Sequence, residues 1–203
     1  MKCKNFFKTM AAAICAASLL MTGCSSDKAA GDTIKIGAIG EMTGGNASYG
    51  TSMMRGFNMA VKEINANGGI NGKKIALVEA DTKSEPAEAA NAMSKLINQD
   101  KVSMVAGIFT SSSAIAACNI SETAKIPYLA IGATNPSVTV AKDGSTKPNT
   151  FRVCFIDPFQ GTVGANFVSN ELKAKKAALY IDNSSDYSKG LADFFKKSFT
   201  ANG

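Results

Sequence analysis

Two short polar runs carry residue types suited to holding a small anion. Thr110-Ser111-Ser112-Ser113 places hydroxyls where an apolar run ends and a helical pattern begins. Gly132-Ala133-Thr134-Asn135-Pro136 closes the next apolar run with another hydroxyl and open backbone groups. A helix N-terminus presents unpaired N–H groups and partial positive charge, and open α/β sheets bind ligands at the carboxyl ends of their strands. The chemistry on offer is the binding of a small carboxylate by neutral donors. Each run also has a plainer reading, in which Ser111 caps a helix and residues 132–136 simply turn. Spacing alone does not separate the two.

Other chemistries fail on residue type. The chain has no His and no Trp, which removes Ser/His/Asp and Cys/His relays, His-ligated metals and HExxH zinc sites. No GxSxG elbow and no SxxK in a catalytic setting is found, so the expectation is a protein that is not an enzyme and needs neither metal nor cofactor. Gly37, Gly40, Gly44 and Gly45 invite a dinucleotide reading, but Ile39 stands where the second glycine of GxGxxG belongs. Asn71-Gly72-Lys73-Lys74 fails as a P-loop, with Asn67 in place of a required glycine and Lys74 in place of Ser or Thr. It reads as a hairpin turn. Net charge is +6, but Lys2, Lys4 and Lys8 sit in the opening segment and leave only +3 beyond it. That is too mild and scattered for nucleic acid.

The opening segment reads as an export signal over residues 1–23: a basic start, an apolar run from Met10 to Met21, then small residues before Cys24. The run is too short to span a bilayer, which needs about 20 helical residues. Leu20-Met21-Thr22-Gly23-Cys24 resembles the lipobox of bacterial lipoproteins, although Leu lies one position early and Met21 stands where Leu is commonest. The resemblance implies lipidation at Cys24 and anchorage to the cell membrane on its extracytoplasmic face; ordinary cleavage is the alternative. Residues 24–32 are small and polar, the composition of a flexible tether. Cys3 and Cys15 leave with the signal, and Cys118 and Cys154 read as two buried thiols.

From Thr33 onward, β-branched runs alternate with helical periods, the pattern of βαβ units around a parallel sheet. Strands are expected at 34–39, 74–79, 102–108, 128–131, 151–155 and 177–181. The first helix should run over 49–65 with Met53, Phe57, Ala60, Val61 and Ile64 inward, ending at Asn67-Gly68-Gly69. A second starts near Pro86 and turns Ala89, Ala92, Met93, Leu96 and Ile97 inward. A third follows the serine run, with Ile115, Cys118 and Ile120 among its apolar positions. A fourth opens at Asp157-Pro158 with Val163, Phe167, Val168 and Leu172, and a fifth near Tyr187 with Leu191, Phe194, Phe195 and Phe199.

Four ordered motifs then resemble one family. Ile36-Gly37-Ala38-Ile39-Gly40-Glu41-Met42-Thr43-Gly44, Ala66-Asn67-Gly68-Gly69-Ile70-Asn71-Gly72, the serine run and Gly132-Ala133-Thr134-Asn135-Pro136 are similar to type I periplasmic binding proteins, above all the Leu/Ile/Val-binding proteins of branched-chain amino acid ABC transporters. The resemblance covers residues 33–203. It implies an α/β Venus-flytrap fold, a parallel sheet flanked by helices, with lobe one over 33–150 and the start of lobe two over 151–203. Family members continue further, so lobe one is expected mostly present and lobe two only begun.

By the same resemblance, Ser111 would hold the ligand's α-carboxylate and Thr134 would contact carboxylate and ammonium. Gly132 and Ala133 line that rim, and Phe109 and Thr110 supply backbone or wall contacts. Tyr49 would cover the side-chain pocket and Tyr187 would close from lobe two; packing roles are the alternative for each tyrosine. The acidic partner of the ammonium would lie after Gly203. The implied role is a monomeric substrate-binding subunit that captures a small amino acid and hands it to an ABC permease; a sensor domain of the same fold for another amino acid or amide is the alternative.

Overall fold

The computed structural model describes residues 33–203. The expectations for the signal, the tether and Cys24 lie outside the described residues. Five strands, β1 Thr33–Gly40, β2 Lys74–Asp81, β3 Met104–Gly107, β4 Tyr128–Ala130 and β5 Thr150–Arg152, form one parallel sheet in the order β2-β1-β3-β4-β5. Helices α1 Ala47–Ala66, α2 Pro86–Asn98 and α3 Ser111–Ala124 follow the first three strands in turn, and α4 Asp157–Asn166 and α5 Asp186–Ala201 follow β5. The chain leaves β1 toward one side for β2 and returns to the other for β3. Such a reversal opens a crevice beyond the carboxyl ends of the two strands. In register, Ile39 pairs with Gly107 and Gly107 with Ala130, so the residues after all three strand ends share one rim.

The core lies between the sheet and the α2–α3 pair. Helix α2 buries Ala89, Ala92, Met93, Leu96 and Ile97, the five positions its periodicity predicts, and Pro86 sits in its first turn. Ala114, Ala117 and Cys118 of α3 join them against Ile39, Val105 and Tyr128. Gly37 lets α2 approach the sheet: a Cβ there would lie 3.0 Å from a Leu96 methyl. Each such side chain contributes about 1.5–3 kcal/mol through lost apolar exposure. In α3, Cys118 is fully enclosed as expected, whereas Ile115 and Ile120 pack on the rim of this core and Ser113 and Ser121 are enclosed with Ala114 and Ala117.

Elsewhere the pattern overstates burial. Of α1, only Gly50 and Met54 are buried, whereas Ile64 is exposed along with Met59. The helix touches the sheet along one narrow stripe. The turn after it is as expected: Gly68 and Gly69 take positive φ, and Asn71 (φ 49°) and Gly72 (φ 79°) turn the chain between the bridged residues Ile70 and Lys73. The strand expected at 151–155 pairs only over Thr150–Arg152, and 177–181 forms no strand. A strand exists by pairing, and among the described residues none lies beside that segment; Tyr180 is fully exposed. In and beyond α4, Val163, Phe167 and Leu172 face outward, while Gly161 packs against Phe194 of α5. Both thiols are free, Cys118 buried and Cys154 only half-buried, because β5 lies at the sheet edge.

Candidate functional site

At the end of β3 the backbone takes conformations that side chains avoid. Gly107 has φ 135° and Ile108 φ 57°, the latter rare for a β-branched residue and a mark of a turn held by its surroundings. The holder is Glu41, which follows β1 and is wholly buried. Its carboxylate accepts from the N–H of Phe109 (3.0 Å), the N–H of Thr110 (3.0 Å) and the hydroxyl of Thr110 (2.7 Å). Three donors to one carboxylate group make a strong anchor. The hydroxyl of Thr110 therefore points into the protein, and the next residue, Ser111, opens α3.

Ser111 is 2% exposed and Thr134 7% exposed, so both hydroxyls sit at the floor of the rim, not on the surface. The two runs are joined: the N–H of Asn135 donates to Ser111 Oγ at 3.2 Å. That bond uses Ser111 as an acceptor and leaves its hydroxyl proton to give. Arg152 fixes the second run from beneath, donating to the carbonyls of Ala133 (2.8 Å), Asn135 (3.0 Å) and Pro136 (3.3 Å) and to Thr139 Oγ1 (2.7 Å). Ala133 itself turns into the core and backs the rim from behind. Asp157, behind Thr134, is fully buried with neither carboxylate oxygen hydrogen-bonded. Burial pushes its carboxyl above the ordinary range, with the nearby Thr134 side chain and the Arg152 charge opposing in part.

An apolar wall stands beside these donors. The rings of Tyr49 and Phe109 stack with centroids 4.5 Å apart and planes 5° from parallel. Phe109 in turn lies on Gly132, where an added Cβ would come 2.5 Å from the ring. On the far side Tyr187, in the first turn of α5, accepts from the side-chain amide of Gln160 at 3.1 Å. Ser111, Thr134, Gly132, Phe109, Thr110, Tyr49 and Tyr187 thus line one cleft of about 840 Å³. That is within the range of small-molecule sites.

The glycine-rich turn after β1 is already occupied by a carboxylate of the chain. Asp81 accepts from the N–H groups of Met42 (2.9 Å) and Thr43 (3.1 Å), the Thr43 hydroxyl (2.6 Å) and the N–H of Lys83 (2.8 Å). Burial raises its pKa less than these bonds lower it. Donors that would cradle a phosphate are spent. Among the described residues no group of three or more His, Cys, Asp or Glu side chains could hold a metal ion, and no described helix is long and apolar enough to cross a membrane.

Sequence reasoning assigned no role to Glu41, Asn135, Arg152 or Gln160. Each acts on backbone groups or on another side chain far along the chain, which leaves no periodic trace. The only local signal was an acid directly after the first strand.

The family model for "Periplasmic binding protein" matches residues 33–203. An amino acid binding protein of Pseudomonas aeruginosa is 44% identical over 160 residues, covering 79% of this chain and 41% of the relative. The crystal structure of LivJ, the branched-chain amino acid transporter substrate binding protein of Streptococcus pneumoniae, in complex with isoleucine, is 45% identical with a TM-score of 0.76, over 82% of this chain and 47% of that one. A solute binding protein of an ABC transporter from Rhodopseudomonas palustris, in complex with 3,4-dihydroxybenzoic acid, is 28% identical with a TM-score of 0.74, over 85% and 45%. The chain spans less than half the length of each.

Proposed function

The chain belongs to the periplasmic binding protein family, and on that premise we propose that it captures a small amino acid, with a branched aliphatic side chain the best fit, for an ABC permease. The observation that carries this reading is the pair of buried hydroxyls, Ser111 and Thr134, on two joined strand-end runs in one cleft. Neutral donors and the N-terminus of α3 solvate a carboxylate without the desolvation cost of burying a counter-ion beside it. The stacked Tyr49 and Phe109 rings offer apolar surface to the ligand's side chain, and Tyr187 approaches from the opposite side. Gly132 and Thr110 complete the wall, and Ala133 supports it.

In this reading the protein works outside the cytoplasm as a monomer, held to the membrane by lipid on Cys24. Residues 33–150 form the first lobe and residues 151–203 begin the second. Its role is binding, not turnover. Mass spectrometry of the mature N-terminus tests the anchor, with an unmodified Cys24 the outcome against it.

The same donors suit any small carboxylate, and the aromatic stack favours a second reading, an aromatic acid like that in the R. palustris complex. Thermal shift of the intact protein against the twenty amino acids and against hydroxybenzoates separates them, because a ligand that binds only the folded state raises the melting temperature. Leucine, isoleucine or valine should give the largest rise. A rise with hydroxybenzoates alone replaces the first reading by the second. Replacing Ser111 with Ala should then weaken binding about 10- to 100-fold, the worth of a hydrogen bond to a charged group; unchanged calorimetric affinity removes Ser111 from the site.

A further inference from the structure

Both backbone polar groups of Asp186, the residue before Tyr187, are held by neighbours of the two proposed ligand hydroxyls. Ser112, next to Ser111, accepts from the N–H of Asp186 at 3.0 Å. Asn135, next to Thr134, donates from its side-chain amide to the Asp186 carbonyl at 2.8 Å. One turn further along α5, Gly190 makes the approach possible, since a Cβ there would lie 2.8 Å from the Asn135 amide nitrogen. Asn135 is itself fixed: its side-chain oxygen accepts from Ser137 N–H at 2.9 Å and its own N–H reaches Ser111. Three adjacent pairs, Ser111–Ser112, Thr134–Asn135 and Asp186–Tyr187, are thus tied into one ring of contacts.

We propose that Ser112, itself at the cleft wall, and Asn135 are positioning residues that set Tyr187 over the cleft through the Asp186 backbone. The inference rests on the amino-acid reading above. The first N–H groups of a helix lack partners within it, so the Asp186 N–H is available to Ser112 and has no competing helical bond. The Asp186 carbonyl lies in the same turn, and holding both the N–H and the carbonyl of Asp186 fixes the two peptides that flank it and so the direction in which the Tyr187 side chain leaves. Part of the ligand affinity is then stored in contacts already made, which lowers the ordering cost of binding.

The test uses Ser112→Ala in the intact protein, a change that suits a helix and removes a single acceptor. In ligand-free protein, hydrogen exchange at the Asp186 amide should be slow in the wild type and should lose its protection in the variant. Calorimetry should show affinity about fivefold weaker, the worth of one neutral hydrogen bond. In a double-mutant cycle, Tyr187→Ala should cost at least about threefold less in the Ser112→Ala background than alone, because a mispositioned ring has less to lose. Asn135→Ala should repeat the cycle from the carbonyl side of Asp186. Equal exchange rates in wild type and variant, or strictly additive effects of Ser112 and Tyr187, would overturn the proposal. If the wild type binds no amino acid, the functional reading fails by itself, and the exchange measurement still decides whether the clamp exists.

Discussion

Two helical regions of the described chain carry apolar side chains of opposite fate. Helix α2 lays Leu96 and Met93 against the sheet with no exposure at all, whereas Val163, Phe167 and Leu172, in and beyond α4, are each at least half exposed. The difference is what stands opposite. Helix α2 has β1 and β2 beneath it and α3 beside it; α4 has α5 and little else. An apolar stripe is a capacity for burial that only a facing layer turns into stability.

The comparison can be broken most severely at Glu41, where the sealed region meets the site. Glu41→Ala orphans two N–H groups and a hydroxyl in a buried place, and at about 1–3 kcal/mol for each unsatisfied group it should cost about 4 kcal/mol or more. Denaturant melts read this directly, and a loss under about 1 kcal/mol would mean that the turn holds itself. Next in size, Leu96→Ala should cost about 3 kcal/mol through lost transfer and an unfilled cavity. Its counterpart Leu172→Ala should cost less than about 0.5 kcal/mol in this chain, as surface changes do. Equal costs for the two leucines would erase the contrast drawn here.

Between those extremes stands Gly132→Ala, whose methyl would strike the Phe109 ring. Overpacking of this kind costs about 1–3 kcal/mol, and the ring should move off Tyr49. Loss of the stacking, seen as a shift in Tyr49 fluorescence, would accompany it; an unmoved ring and an unchanged melt would place Phe109 in slack space.

One further effect depends on pH. Burial first, with Thr134 and Arg152 opposing, raises the Asp157 carboxyl above its ordinary 3.8. Between that value and the raised one the folded chain keeps a proton that the unfolded chain has lost, so this group's contribution to stability falls as pH rises through the window. Asp157→Asn should therefore raise stability at neutral pH, after a small loss at the N-terminus of α4. Melts carried down below the ordinary carboxylate range should see that gain vanish. A gain that is the same at every pH would assign it to packing and not to titration.

These contrasts also explain what was legible beforehand. The five inward positions of α2 follow from their spacing, because a layer exists to receive them. The apolar residues of α1 and of 177–181 carry the same kind of signal, but whether they are buried depends on partners that spacing does not report. At the site, Ser111 and Thr134 stand out by type and by place at strand ends. Glu41 and Arg152 do not, since their work is to satisfy distant backbone groups, and nothing in their own neighbourhood announces it.

The stacked pair of Tyr49 and Phe109 has a consequence for how such a cleft diversifies. The two polar runs are anchored from within by Glu41 and Arg152, whereas the Tyr49 ring only leans on Phe109 from the α1 side. On the proposed reading, exchanging those two side chains would change which cargo the cleft prefers while leaving the carboxylate donors in place, so that one scaffold supplies many appetites.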